Sequence, residues 1–128
     1  ADLILKSVEV LQGLQHALWA ADVSSAIVER PSFRGDPELR GQLADCSACV
    51  PELIGEGFGQ GTDRHCAHYQ RFARGSCNEM RIHLRVACGR KHITDGECAD
   101  VSERYVIIGK MLTRWIQELV RSNRRDRG

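Results

Sequence analysis

The sequence predicts an all-α protein, a single antiparallel up-down-up-down four-helix bundle. Three observations carry this. First, Leu, Ala, Arg and Glu are plentiful, whereas aromatics are only 5% and prolines number 3. Residues that favour strands or break helices are therefore scarce. Second, four long segments repeat apolar residues at steps of three and four, the spacing that keeps one helical face toward a core. Third, the breaks between these segments are short and carry capping residues, and short connections make consecutive helices antiparallel. With 42% apolar residues in a chain of 128, one core can be filled. Residues 1–128 are accordingly read as one domain.

Helix one is expected from about Ser7 to Val28, on a stripe of Leu11, Leu14, Leu18, Ala21, Ser25 and Val28. Residues 30–35, with Pro31 and Gly35, break the pattern. Asp36-Pro37 reads as a capping side chain followed by Pro at the first helical position. Helix two then carries Leu39, Leu43, Cys46, Val50 and Leu53. Pro51 lies inside this run and removes one backbone donor, so a kink is expected there. Gly55, Gly57, Gly59 and Gly61 are expected to end the helix in a turn.

Helix three is expected from Thr62 or Asp63 to about Cys88, with Gly89 as its stop. Its stripe is Cys66, Tyr69, Ala73, Ser76, Met80 and Ala87, flanked by Phe72 and Leu84. Thr94 and Glu97 have the spacing of a capping box. Helix four follows with Cys98, Val101, Tyr105, Ile108, Leu112, Trp115 and Leu119, the most regular repeat in the chain. It is also apolar off that stripe, at Val106, Ile107, Met111, Ile116 and Val120. This surplus points to a subunit interface around Ile107 and Met111, with a wide core face as the plainer alternative. The tail Arg121 to Gly128 is charged and expected to fray.

The net charge of +1 predicts no partner by itself. Its distribution says more: residues 1–60 carry 4 Lys/Arg and 9 Asp/Glu, and residues 61–128 carry 14 and 8. Such opposite charges either pair across the bundle, assist subunit association, or mark a basic surface for an acidic partner. Leu3-Ile4-Leu5, interrupted by Lys6, is too short for a signal-peptide core. No window approaches the ~20 apolar residues that span a bilayer. A cytoplasmic protein with no membrane partner is expected. The six cysteines fall inside helical patterns and are read as small buried side chains in a reducing compartment, not as disulfides.

Several residues invite a chemical reading. Cys46-Ser47-Ala48-Cys49 is a CxxC, and His65, Cys66 and His68 follow it. Folding helix three back on helix two places Cys46 level with about residue 74, and leaves Cys49 and Cys66 about 7 Å apart along the axis. Those ligands would not converge, so no metal and no cofactor is expected. Cys66, Cys77 and Cys88 recur every eleven residues, close to three whole turns, and share one face. The scattered histidines build no catalytic constellation. The glycine run 54–61 lacks the strand and the Lys-Ser/Thr of a phosphate loop. No enzymatic activity is expected.

One polar pattern stands out. Arg64, His68, Arg71, Arg74, Asn78, Arg81 and Arg85 recur at steps of three, four and seven. They form a basic strip roughly 30 Å long on helix three, suited to a phosphate backbone. The competing reading is a solvated face partly neutralised by Glu52, Glu56 and Glu79. Arg64, Arg71, Arg74, Arg81 and Arg85 are the candidate RNA- or DNA-binding residues.

The stretch from Leu39 to Leu119 resembles the four-helix-bundle proteins encoded in intervening sequences of bacterial 23S ribosomal RNA genes. Val50-Pro51 followed by Ile54-Gly55-Glu56-Gly57-Phe58-Gly59 is similar to the family's Pro-containing helix-two ending. Ala73-Arg74-Gly75-Ser76-Cys77-Asn78-Glu79-Met80 is similar to its Ala-x-Gly-Ser-Leu-x-Glu-Leu. Ile93-Thr94 and Ile108-Gly109-Lys110-Met111-Leu112 match the opening and centre of its helix four. The chain departs from the family at Leu53, where Asn is common, and at His68-Tyr69, where Arg-Phe is common. The resemblance implies an antiparallel bundle, assembled as a homopentamer, without catalytic activity. A related branch contains accessory proteins of diversity-generating retroelements, which bind nucleic acid through basic surfaces. The expectation is therefore a non-enzymatic homo-oligomer that binds RNA or DNA, with a protein-interaction scaffold as the alternative.

Overall fold

The computed structural model describes the backbone of residues 2–127 and the side chains of residues 8–125. Four helices follow in order, α1 (Asp2–Val28), α2 (Pro37–Phe58), α3 (Asp63–Gly89) and α4 (Asp95–Arg127), with a 3-10 turn at Pro31–Gly35 between the first two. Each helix packs on its neighbour in sequence, and α1 closes the bundle against α4. No strand occurs among the described residues.

On α1 the buried face is not the leucine stripe. Val10, Gly13, Ala17, Ala20, Ser24 and Ile27 point inward, while Leu11 is 57% and Leu18 48% exposed. Small side chains make up much of this face, and the Cε of Met111 lies 3.7 Å from where a Cβ on Gly13 would stand, an ordinary contact distance. Ser24 Oγ donates to the Ala20 carbonyl at 2.8 Å and lies 3.2 Å from the Tyr105 hydroxyl. The phenol thus finds a polar partner inside the core, as a buried tyrosine requires.

α2 continues past Gly55 and Gly57 to Phe58, with Pro51 inside it and Gly59 as its C-cap residue, so the later glycines form the turn. Asp36 is its N-cap residue and Pro37 opens it, as expected, but the Asp36 side chain makes no capping bond. Its carboxylate instead receives Arg90 Nη1 at 3.1 Å and lies 2.9 Å from His92 Nε2. The His92 ring stacks on Phe33, centroid to centroid at 4.1 Å. Together these contacts lock the 3-10 turn onto the α3–α4 connection. Arg30 adds to the lock through a paired contact with Glu97 and a 3.2 Å bond to the His92 carbonyl.

Thr62 caps α3, its side chain accepting from the His65 N–H at 3.2 Å. α3 continues through Gly89, and the residue with positive φ is Lys91, at 68°. His92 N–H bonds the Ala87 carbonyl and Lys91 N–H bonds the Cys88 carbonyl, both at 3.0 Å. This pair of bonds is a Schellman ending with lysine where glycine is usual. The capping box of α4 forms in both directions: Glu97 N–H donates to Thr94 Oγ1 at 3.1 Å, and Thr94 N–H donates to Glu97 Oε1 at 3.0 Å. Val101, Tyr105, Ile108, Leu112 and Leu119 are buried as the repeat predicts, and Ile116 joins them. The helix extends to Arg127, through most of the stretch expected to fray; side chains after residue 125 lie outside the described residues.

Candidate nucleic-acid interface

α3 turns Cys66, Gln70, Ala73, Cys77, Met80, Leu84 and Ala87 inward. Those positions dictate what remains outside. Arg64, His68, Arg71, Asn78, Arg81 and Arg85 are all exposed. None of these arginines makes an ion pair among the described residues, so Glu52, Glu56 and Glu79 do not neutralise them by direct contact. Arg74 departs from the strip: it is half-buried, and its Nη1 donates to Thr113 Oγ1 of α4 at 3.2 Å. Its position on α3, turned toward α4, ties it to packing.

Two neighbours were not legible as part of this surface. Phe72, expected beside the core, is 57% exposed next to Arg71, and His68 meets its ring edge-on at 4.8 Å. At the other side, Arg64, Ala67 and Arg71 share a cleft of about 390 Å³ with Leu119, Val120, Asn123 and Arg124 of α4. Arg124 stands one helical turn beyond Val120, off the core repeat, a spacing readable from the sequence. Three guanidinium groups around one concavity can grip phosphate oxygens by paired hydrogen bonds.

The candidate subunit-contact residues lie elsewhere. Ile107 and Met111 are half-buried, and Met111 already packs toward α1. The larger apolar exposure is on α1, where Val8, Leu11, Leu18 and Trp19 are each 44–57% exposed. Arg104 covers the Trp19 ring, its guanidinium carbon 4.1 Å from the centroid.

All six cysteines are unbridged, and Cys66, Cys77 and Cys88 are buried on one face as their spacing predicts. His65, Cys66 and His68 do not meet the CxxC. Cys46 instead donates its Sγ–H to the Ser76 carbonyl at 3.3 Å and lies 3.8 Å from Glu79 Oε2. The ligand atoms of Cys46, Glu79 and His83 all fall within 4.8 Å of one another. Axial level alone does not locate these partners. Helical side chains lean toward their own N-terminus. In an antiparallel pair Cys46 leans toward higher α3 numbers, while Glu79 and His83 lean back to meet it. Burial, then the nearby Glu79 carboxylate, pushes the Cys46 thiol up to about 12.

These features define an antiparallel four-helix bundle with a basic outward face on its third helix. The family model of the 23S rRNA-intervening sequence proteins matches residues 11–114. The chain belongs to that family, and the match takes in α1 from Leu11 onward. A crystal structure of a protein of unknown function from the S23 ribosomal protein family of Bacteroides thetaiotaomicron has the same fold. It is similar with a TM-score of 0.73 at 15% identity, over 88% of this chain and 97% of that chain. No curated protein matches the sequence.

Proposed function

We propose that this protein is a non-enzymatic, cytoplasmic homo-oligomer, with five subunits as the leading expectation, that binds RNA or DNA through α3. The observation that carries this reading is the line of exposed guanidinium groups at Arg64, Arg71, Arg81 and Arg85, without ion-pair partners among the described residues. They follow one helix for roughly 30 Å, a length that spans several phosphates. Arg124 widens the strip onto α4. No helix of the described residues is long and apolar enough to cross a membrane, which suits an aqueous partner.

The apolar exposure on α1 supports the oligomeric part of this reading. The exposed apolar residues of α1 form an outward stripe whose burial between subunits removes it from water. A ring of subunits repeats the basic strip, so weak contacts add by avidity. The test is a titration of RNA and DNA oligomers at low and physiological salt. Binding that weakens steeply with salt, and is lost on changing Arg81 and Arg85 to Glu with the bundle still folded, supports the proposal. If nothing binds even at low salt, the protein-interaction scaffold takes its place.

A further inference from the structure

We propose that Cys46, Glu79 and His83 form a zinc site that clamps α2 to α3. Three donor types are brought together here: a thiol, a carboxylate oxygen and an imidazole nitrogen, all within 4.8 Å of one another. Glu79 and His83 stand one turn apart on α3, the i, i+4 spacing that lets two helical side chains share one ion. Cys46 enters from the facing helix. A tetrahedral ion with bonds of 2.0–2.3 Å separates its ligand atoms by about 3.3–3.8 Å, so small side-chain rotations close the set.

The surroundings fit a cation. Cys46 is 8% exposed. Its Sγ lies 3.8 Å from Glu79 Oε2, so a carboxylate already stands beside the thiol. No cationic side chain pairs with Glu79 among the described residues, and the basic strip turns toward α4, where Arg74 bonds Thr113. A divalent ion reverses the local balance. It takes the Cys46 sulfur as thiolate, the displaced proton goes to solvent, and the hydrogen bond to Ser76 is given up. Glu79 is exposed and His83 half-exposed, so the fourth position opens to water.

Cobalt titration of the intact protein under reducing conditions tests this. One Co²⁺ per chain should bind, with a thiolate-to-cobalt charge-transfer band and tetrahedral visible absorption, and Zn²⁺ should displace it. The band should vanish in Cys46→Ser. In His83→Gln, a partly exposed position that leaves the core untouched, affinity should fall at least tenfold while helicity by circular dichroism is unchanged. Cys49→Ser should keep the band. Zn²⁺ should also raise the unfolding midpoint of the wild type and not that of His83→Gln. Absence of the band in the wild type, or a band that survives both Cys46→Ser and His83→Gln, overturns the site. Loss of the band in Cys49→Ser overturns the ligand assignment. None of these readouts depends on nucleic-acid binding.

Discussion

Gly57 of α2 faces Gln70 of α3 across a gap that has no room for a Cβ. A methyl group there would stand 2.8 Å from Tyr69 Cβ and overlap the Gln70 amide. Gln70 is fully buried and donates Nε2–H to the Ile54 carbonyl at 3.3 Å. The amide end of Gln70 can swing aside, but Tyr69 Cβ is fixed to the α3 backbone and cannot. Gly57→Ala should therefore cost about 1–3 kcal/mol from overpacking, despite the helix propensity gained. Gly55, two residues earlier on the same helix, meets nothing within 4 Å. Gly55→Ala should stabilise by up to about 1 kcal/mol. Urea denaturation of the two variants gives the comparison; equal gains at both positions would remove the close approach.

Lys91 carries the left-handed turn after α3. A side chain at positive φ costs roughly 1–2 kcal/mol, which glycine avoids, although glycine loses more chain entropy on folding. The net expectation for Lys91→Gly is a gain of about 0.5–1 kcal/mol. Lys91→Ala keeps the Cβ and should gain nothing. Thermal midpoints of both variants separate the backbone effect from loss of an exposed charge.

How much was legible follows from which residues carry the signal. α4 could be read in detail because its inward positions are large and apolar, from Val101 to Leu119, and its cap has a two-residue signature in Thr94 and Glu97. α1 was misplaced by about a quarter turn because its inward residues are Gly13, Ala17, Ala20 and Ser24. Hydrophobic periodicity weights large apolar side chains, and the inward residues here are small or polar. Asp36 was legible as an acid before Pro37 but not as the partner of Arg90 and His92, more than fifty residues away. The meeting of Cys46 with Glu79 and His83 depends on side-chain lean across two helices, which axial spacing does not encode. On α3 the exposed arginines were readable from spacing alone, while Arg74 was not separable from them because Thr113 lies on another helix.

Acid should loosen the end of the bundle near Glu97. The Arg30 guanidinium, then the Thr94 N–H, holds its carboxyl at about 2, below its ordinary 4.5. The folded-state value is the lower one, so the unfolded chain binds the proton more readily. This contribution is complete above about pH 4.5 and is lost as pH falls from there to about 2. Asp36 acts in the same sense, lowered chiefly by His92. The Glu97 side chain is 34% exposed, and solvent screening keeps the effect modest. Glu97→Gln should be less stable than wild type at pH 7 and flatter between about pH 4.5 and 2.5. Urea midpoints across that range make the comparison, and parallel pH curves would remove the assigned role.

Subunit contacts should depend more on α1 than on Met111. Leu11 and Leu18 turn away from the core at 57% and 48% exposure, so glutamate at both positions leaves the monomer fold intact while placing charge in an apolar contact. Wild type should sediment as a multiple of 14.3 kDa, and the double variant should shift toward the monomer with helicity retained. Met111→Glu, by contrast, places charge beside Gly13 inside the α1–α4 seam and should lower stability as well as assembly. A wild-type monomer at micromolar concentration would end the oligomer reading.

The exposed ring of Phe72 separates two modes of nucleic-acid binding on α3. Arginine pairing with phosphates is blind to strandedness, whereas a free aromatic face stacks only on unpaired bases. Phe72 is 57% exposed and flanked by Arg71, so single strands should find a stacking partner there that duplexes cannot use. Phe72→Ala should weaken single-strand binding by about 1–3 kcal/mol per stacked base and leave duplex affinity and the salt slope unchanged. Arg81→Glu with Arg85→Glu should weaken both, and should lower the slope of log affinity against log salt by roughly 0.7–0.9 for each phosphate no longer neutralised. Arg124→Ala probes the α4 side of the cleft and should behave like the arginine variants, not like Phe72→Ala. Fluorescence anisotropy with matched single- and double-stranded oligomers over a salt series gives all three comparisons. If Phe72→Ala weakens duplex and single strand equally, the ring supports the surface and does not stack on bases.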